Sequence, residues 1–222
     1  MINKENLVMK ATNLVWAAFL IGGCAIVTSF LFVFLLLNVK LSFLTLPFYL
    51  IAFLLFGPTL SAIFETVFQC IIGGKGNVIK SYFRIYKEGF ISSIKVWLPY
   101  FLLTVILFGD LYYIGFSKQT AYALPLIYIL IIVMIISYVY SLVLHTKFIM
   151  KIRDILKFSL YLTINRPITS LTIIFFVLAV YLFFRFASSL AIFGALPLFA
   201  FVTLYSMRKM LGAIEAKFVN AA

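Results

Sequence analysis

Apolar residues along this chain fall in long unbroken runs rather than in alternation. The first, "LVWAAFLIGGCAIVTSFLFVFLLL", starts at Leu14, and comparable runs follow from about Leu44 to Ile72, Ile94 to Phe116, Ala121 to Leu144, Ile168 to Phe186 and Leu190 to Leu211. A helix rises 1.5 Å per residue, so roughly twenty apolar residues cover the ~30 Å of bilayer hydrocarbon. Strands of a membrane barrel would alternate polar with apolar positions, and these runs do not. The pattern predicts an all-α polytopic membrane protein, one transmembrane domain over 1–222 with spans at about 14–37, 44–72, 94–116, 121–144, 168–186 and 190–211. Its faintest punctuation lies between the last two, where only Arg185, Ser188 and Ser189 interrupt the apolar stretch.

Two connections change period. "VIKSYFRIYKEGF" sets Lys80, Arg84 and Lys87 opposite Ile79, Tyr82, Phe83, Tyr86 and Phe90 at helical spacing. "IRDILKFSLYLT" sets Lys151, Asp154 and Lys157 opposite Ile152, Ile155, Leu156 and Leu160, with Arg153 alongside. Both read as amphipathic surface helices, about 78–90 and 152–163, with the basic side toward lipid phosphate or a partner and the apolar side toward acyl chains or protein. Each joins two spans, so "span, surface helix, span" occurs twice, as in an architectural duplication with weak residue identity.

Composition fits this picture. The chain is 65% hydrophobic and 11% charged, a balance that would precipitate a soluble domain. Its net charge of +12 comes from 18 Lys and Arg. With the N-terminus inside and six spans, all but Lys40, Lys118 and Arg185 fall on the inner side. That asymmetry places both termini and both surface helices in the cytoplasm and explains the charge without nucleic acid. The run after "MINKENLVMKATN" is longer than a signal-peptide core and lacks an A-x-A site, so it is expected to remain as a span.

Candidate chemistry is sparse. His145 has no acidic neighbour in sequence to orient it and reads as interfacial rather than as a general base. Six acidic residues, one histidine and two separated cysteines offer no cluster at ligand spacing, so neither metal nor cofactor is expected. Cys24 and Cys70 sit in apolar runs and read as small hydrophobes, not as a disulfide. "IIGGKGN" fails as a phosphate-binding loop, because Gly76 follows Lys75 where Ser or Thr is needed and Gln69 occupies the first glycine position. Its glycines fit a helix end and a turn.

Charges inside apolar runs carry more weight, since each costs several kcal/mol in hydrocarbon. Glu65, eight residues before Gly73, belongs to the inner half of the second span. It is either an ion-pair anchor for the adjacent basic helix, the favoured reading, or a contact for substrate, proton or partner. Asp110 and Arg185, both near the outer interface, either pair to close the bundle there or meet a polar ligand. Gly57 and Pro58 are expected to bend or restart the second span, and Pro167, after Asn165 and Arg166, to start the fifth. Ala187, Ala191 and Ala195 form a small-residue ridge, and Gly22 and Gly23 allow similar close packing.

Three segments, "FGPTLSAIFE", "YFRIYKEGFISSIKVWLPYFLLTVIL" and "FIMKIRDILKFSLYLTINRPITSL", give the chain an order of features that resembles the YesL family of bacterial membrane proteins, a domain of unknown function. The likeness covers about Leu14 to Leu211. It implies a small multi-pass protein of the bacterial cytoplasmic membrane, typical of Gram-positive organisms, encoded beside carbohydrate importers of the ATP-binding cassette class. A non-enzymatic accessory role in oligosaccharide or sialic-acid uptake, with the permease subunits as partners, is the leading expectation. A solute-binding or transporting component, with Glu65 or Asp110 lining a cavity, is the runner-up. A membrane scaffold or stress factor unrelated to sugar is the third.

Overall fold

The computed structural model describes residues 4–74, 76–115, 122–148, 150–186 and 192–219; at 4–11, 113–115, 180, 183–186, 192–193, 209–210 and 213–219 only the backbone is described. The chain folds as helices, with no strand among the described residues. In order they are α1 (Lys4–Thr28), α2 (Phe30–Asn38), α3 (Leu46–Thr66), α4 (Val78–Gly115), α5 (Leu124–Lys147), α6 (Ile152–Asn165), α7 (Pro167–Phe186) and α8 (Ile192–Val219). α3 continues without a gap into a π-helical turn, Val67–Ile72.

Three helices, Leu46–Ile72, Val78–Tyr112 and Leu124–Lys147, are long and apolar enough to cross a membrane. Two bent pairs, α1 with α2 and α6 with α7, bring the number to as many as five among the described residues. The first expected span is thus two helices meeting at 77°. Thr28 and Ser29 turn their hydroxyls back onto this helix: Ser29 Oγ donates to Ala25 O at 2.6 Å, and Thr28 Oγ1 lies 3.2 Å from the same carbonyl. Such back-bonding competes with the backbone ladder and bends helices. Tyr49 then ties down the end of α2, its hydroxyl 2.8 Å from Leu35 O and 2.5 Å from Val39 O.

The two amphipathic segments part company. α6 is a separate helix that meets α7 at 96°. The segment 78–90 instead runs straight into the third apolar run, making α4 a single helix of 38 residues. At 1.5 Å per residue that is about 57 Å, nearly twice the hydrocarbon thickness. No proline stands between the two parts, and Gly89 alone costs only about 1 kcal/mol relative to alanine.

α5 is the centre of the bundle. Every residue from Ile136 to Leu144 is buried, whereas Leu126, Tyr128, Ile129, Leu130 and Ile132 in its first half are exposed. The core gathers around that inner half, from Ile21 and Ala25 of α1, Ile63 and Phe64 of α3, Tyr82 and Trp97 of α4, Ile155 of α6 and Leu204 and Met207 of α8. Further out, α4 touches the bundle through the narrow stripe of Thr104 and Leu107 while Leu102, Leu103, Val105, Ile106 and Phe108 face away.

The buried faces also differ from the hydrophobic pattern. On α6 they are Ile155, Ser159, Leu162 and Thr163, with Leu160 exposed. Early in α4 they are Ser81, Tyr82 and Ile85, with Ile79 and Phe83 exposed. In lipid, an apolar residue gains little by facing inward, so pattern alone does not choose the inward face.

Candidate functional site

Local construction begins at Gly57 and Pro58. The helix neither stops nor restarts there; Pro58 is internal to α3. Gly57 makes room for α4, since a Cβ on it would sit 2.3 Å from the Trp97 ring. Trp97 Nε1 in turn donates to Phe53 O at 3.2 Å, joining the helices one turn before the proline.

Beyond this contact α3 carries Glu65 and then widens into the π-helical turn, closed by Gly73 N donating to Phe68 O at 3.0 Å. Such single-turn π segments are frequent at functional sites. Gly74 and Gly76 follow with φ of 64° and 81°, backbone conformations that favour glycine. Asn77 caps α4, its Oδ1 accepting from Ile79 N at 3.1 Å. The turn thereby folds the start of α4 back beside the π segment. Gln69, Gly76, Asn77, Lys80, Ser81 and Arg84 line an open cavity of about 590 Å³.

Glu65 lies one helical turn before Gln69, whose Nε2 donates to the Glu65 carboxylate at 3.0 Å. Arg84 and Glu88 of α4 bear on the carboxylate with opposite charges. Lys80, Arg84 and Lys87 are exposed on α4, and Lys151, Arg153 and Lys157 on α6. Asp110 is exposed near the far end of α4. Its proposed partner Arg185 has a side chain outside the described residues, as do Ala187 and Ala191 of the alanine ridge.

Many of the bundle's buried hydroxyls are tied to one another, while Thr66 Oγ1 and Tyr138 Oη have no hydrogen-bond partner among the described residues. Tyr100 Oη stands 3.0 Å from Ser137 Oγ and 2.9 Å from Ser159 Oγ, and the two serines are 3.1 Å apart, joining α4, α5 and α6. Tyr82 Oη meets Thr28 Oγ1 at 2.8 Å, and Thr59 Oγ1 donates to the same oxygen at 3.3 Å, joining α4, α1 and α3. Ser170 Oγ donates to Thr163 O at 3.0 Å across the α6–α7 bend. Ser61 Oγ and His145 Nδ1 approach to 3.5 Å, longer than the 2.6–3.2 Å of a nucleophile and its base. Cys24 and Cys70 are both free thiols.

Sequence reading found the charges of this region but not its cavity. Gln69, Asn77 and Ser81 are ordinary polar residues by type, and the only signal for them was the glycine turn that brings them together. No family model, curated protein or solved structure matches this chain.

Proposed function

We propose that the chain is a multi-pass protein of the bacterial cytoplasmic membrane that acts, without catalysis, as an accessory subunit packing against the permease subunits of a carbohydrate ABC importer. Counting each bent pair as one crossing and α8 as a sixth gives the even number that puts both termini in the cytoplasm with nearly all the Lys and Arg. The observation that carries the partner-binding reading is the outer half of α4 and α5. There Leu102, Leu103, Val105, Ile106 and Phe108, with Leu126, Ile129 and Leu130, are exposed around most of each helix. Hydroxyls of Tyr100, Ser137 and Ser159, and of Tyr82 and Thr28, are engaged with one another, which suits a rigid bundle better than a polar translocation path. The carbohydrate assignment draws on the YesL-like segments. Affinity purification in mild detergent after cross-linking in membranes is expected to bring down permease subunits. Isolation as a lone monomer, with sugar uptake unchanged on deletion, overturns the proposal.

A second reading, a solute-binding component in its own right, is favoured by Glu65 and Gln69 standing at the edge of the cavity. On that reading Glu65→Gln abolishes solute binding in reconstituted vesicles at normal protein levels. Unaltered binding eliminates it.

A further inference from the structure

The cavity between the π-helical turn and α4 is lined by donors that the protein leaves unused. Lys80 and Arg84, one turn apart on the same helical face, both line it, and neither forms an ion pair or hydrogen bond among the described residues. Ser81 is only 7% exposed, yet its hydroxyl has no hydrogen-bond partner among the described residues. That hydroxyl points toward the cavity wall, where a Cβ on Gly76 would come within 3.2 Å of its oxygen. The first turn of α4 adds the positive end of a 38-residue helix dipole, and Gln69 keeps one amide N–H beyond the one given to Glu65. Glu65 and Glu88 are the carboxylates that act on this region, and neither lines the cavity.

Two cations, a hydroxyl, an amide and a helix N-terminus converging on one space call for an anion with several acceptor oxygens, of which a phosphate group is the best match. On the adjoining face of α4, Ile79 and Phe83 are exposed, one helical turn apart like the two cations. Acyl chains resting on them would set a headgroup beside Lys80 and Arg84.

We propose that this cavity is a phosphate site and that its occupant is the headgroup of an anionic phospholipid. The site is independent of which protein packs against the bundle. The test uses the full-length protein reconstituted in phosphatidylcholine bilayers with or without phosphatidic acid, then released and weighed by native mass spectrometry to count retained lipids. Wild type is expected to retain phosphatidic acid over phosphatidylcholine by about tenfold or more, the equivalent of one charge-assisted contact. Lys80→Gln with Arg84→Gln should erase that preference and Ser81→Ala should weaken it severalfold, with helical content unchanged by circular dichroism. Lys151→Gln with Lys157→Gln, which alters the same charge on α6, should leave it intact. Equal retention by wild type and the Lys80/Arg84 pair, or equal loss in the α6 pair, overturns the site. Inorganic phosphate is the remaining arm. If millimolar phosphate displaces the lipid and binds wild type but not the Lys80/Arg84 pair, the phosphate site stands and its lipid occupant is overturned.

Discussion

α4 and the α6–α7 pair start from the same plan, a basic amphipathic segment leading directly into an apolar run, and end as one continuous helix, Pro99 included, and a right-angled elbow. The difference lies in three residues. Between Thr163 and Ile168 the chain carries Asn165, Arg166 and Pro167. Proline disfavours helical geometry in the residue before it, and Arg166 sits at φ −124°, ψ 66°, outside the helical region. Pro167 then starts α7 at the first helical position, where its missing N–H costs nothing. The corresponding stretch of α4, "KEGFISSIKVW", contains Gly89 and two serines but no proline, and each N–H can stay in the ladder. The α6–α7 break thus coincides with a lost donor and a steric clash at Arg166 and Pro167, whereas Pro58 and Pro99 lie inside unbroken helices and Gly89 does not interrupt α4.

The largest test moves the elbow into α4. Gly89→Pro should bend α4 and cost about 3 kcal/mol. Spin labels at Phe83 and Leu98, fifteen residues or about 22 Å apart along a straight helix, should move measurably closer. An unchanged distance distribution would show that packing against α3 enforces straightness whatever the sequence.

That packing is the next target. Gly57→Ala places a Cβ against Trp97 and should lower stability by about 1–3 kcal/mol through overpacking. Gly23→Ala, whose Cβ would meet nothing within 4 Å, serves as its neutral control. Apparent melting temperatures in detergent would separate the two, and equal values would deny the close approach.

The elbow has its own fastening. Tyr100→Phe removes the hydroxyl shared by Ser137 and Ser159 and should cost roughly 1 kcal/mol, the two serines keeping their mutual bond. Hydrogen exchange should rise in α6 and far less in the first half of α4. A uniform rise would mean that the hydroxyl cluster serves the whole bundle. The smallest effect runs the other way: Gly89→Ala should stabilise α4 by up to ~1 kcal/mol, because its Cβ meets nothing nearer than Ser93 Oγ at 3.8 Å. A loss of stability would mean that flexibility at Gly89 matters to the folded state.

Much of the architecture was legible because lipid imposes it. Runs of apolar residues and the role of Pro167 follow from length and backbone chemistry, each local in sequence. The 77° bend was hidden because Thr28 and Ser29 are unremarkable residue types whose effect depends on which carbonyls their hydroxyls reach. The continuity of α4 is hidden in the sequence because a change from amphipathic to apolar pattern marks a change of surroundings, not a break in the helix. Gly57 was read for its backbone, when its use is the missing side chain opposite Trp97, forty residues away. The Gln69 contact of Glu65 is not legible in the sequence, because it depends on the π-helical turn that follows.

The unbroken length of α4 has a mechanical consequence. About 27 Å of the ~57 Å helix projects past the ~30 Å of hydrocarbon it can cross. A tilt of about 10° about the membrane crossing therefore swings the projecting end by roughly 5 Å, with no bond rotated within the helix. Membrane helices adjust their tilt to bilayer thickness. In this fold that end is fastened to α1 through Tyr82 and Thr28, so a tilt of α4 would carry the wall of Lys80, Ser81 and Arg84 together with α1.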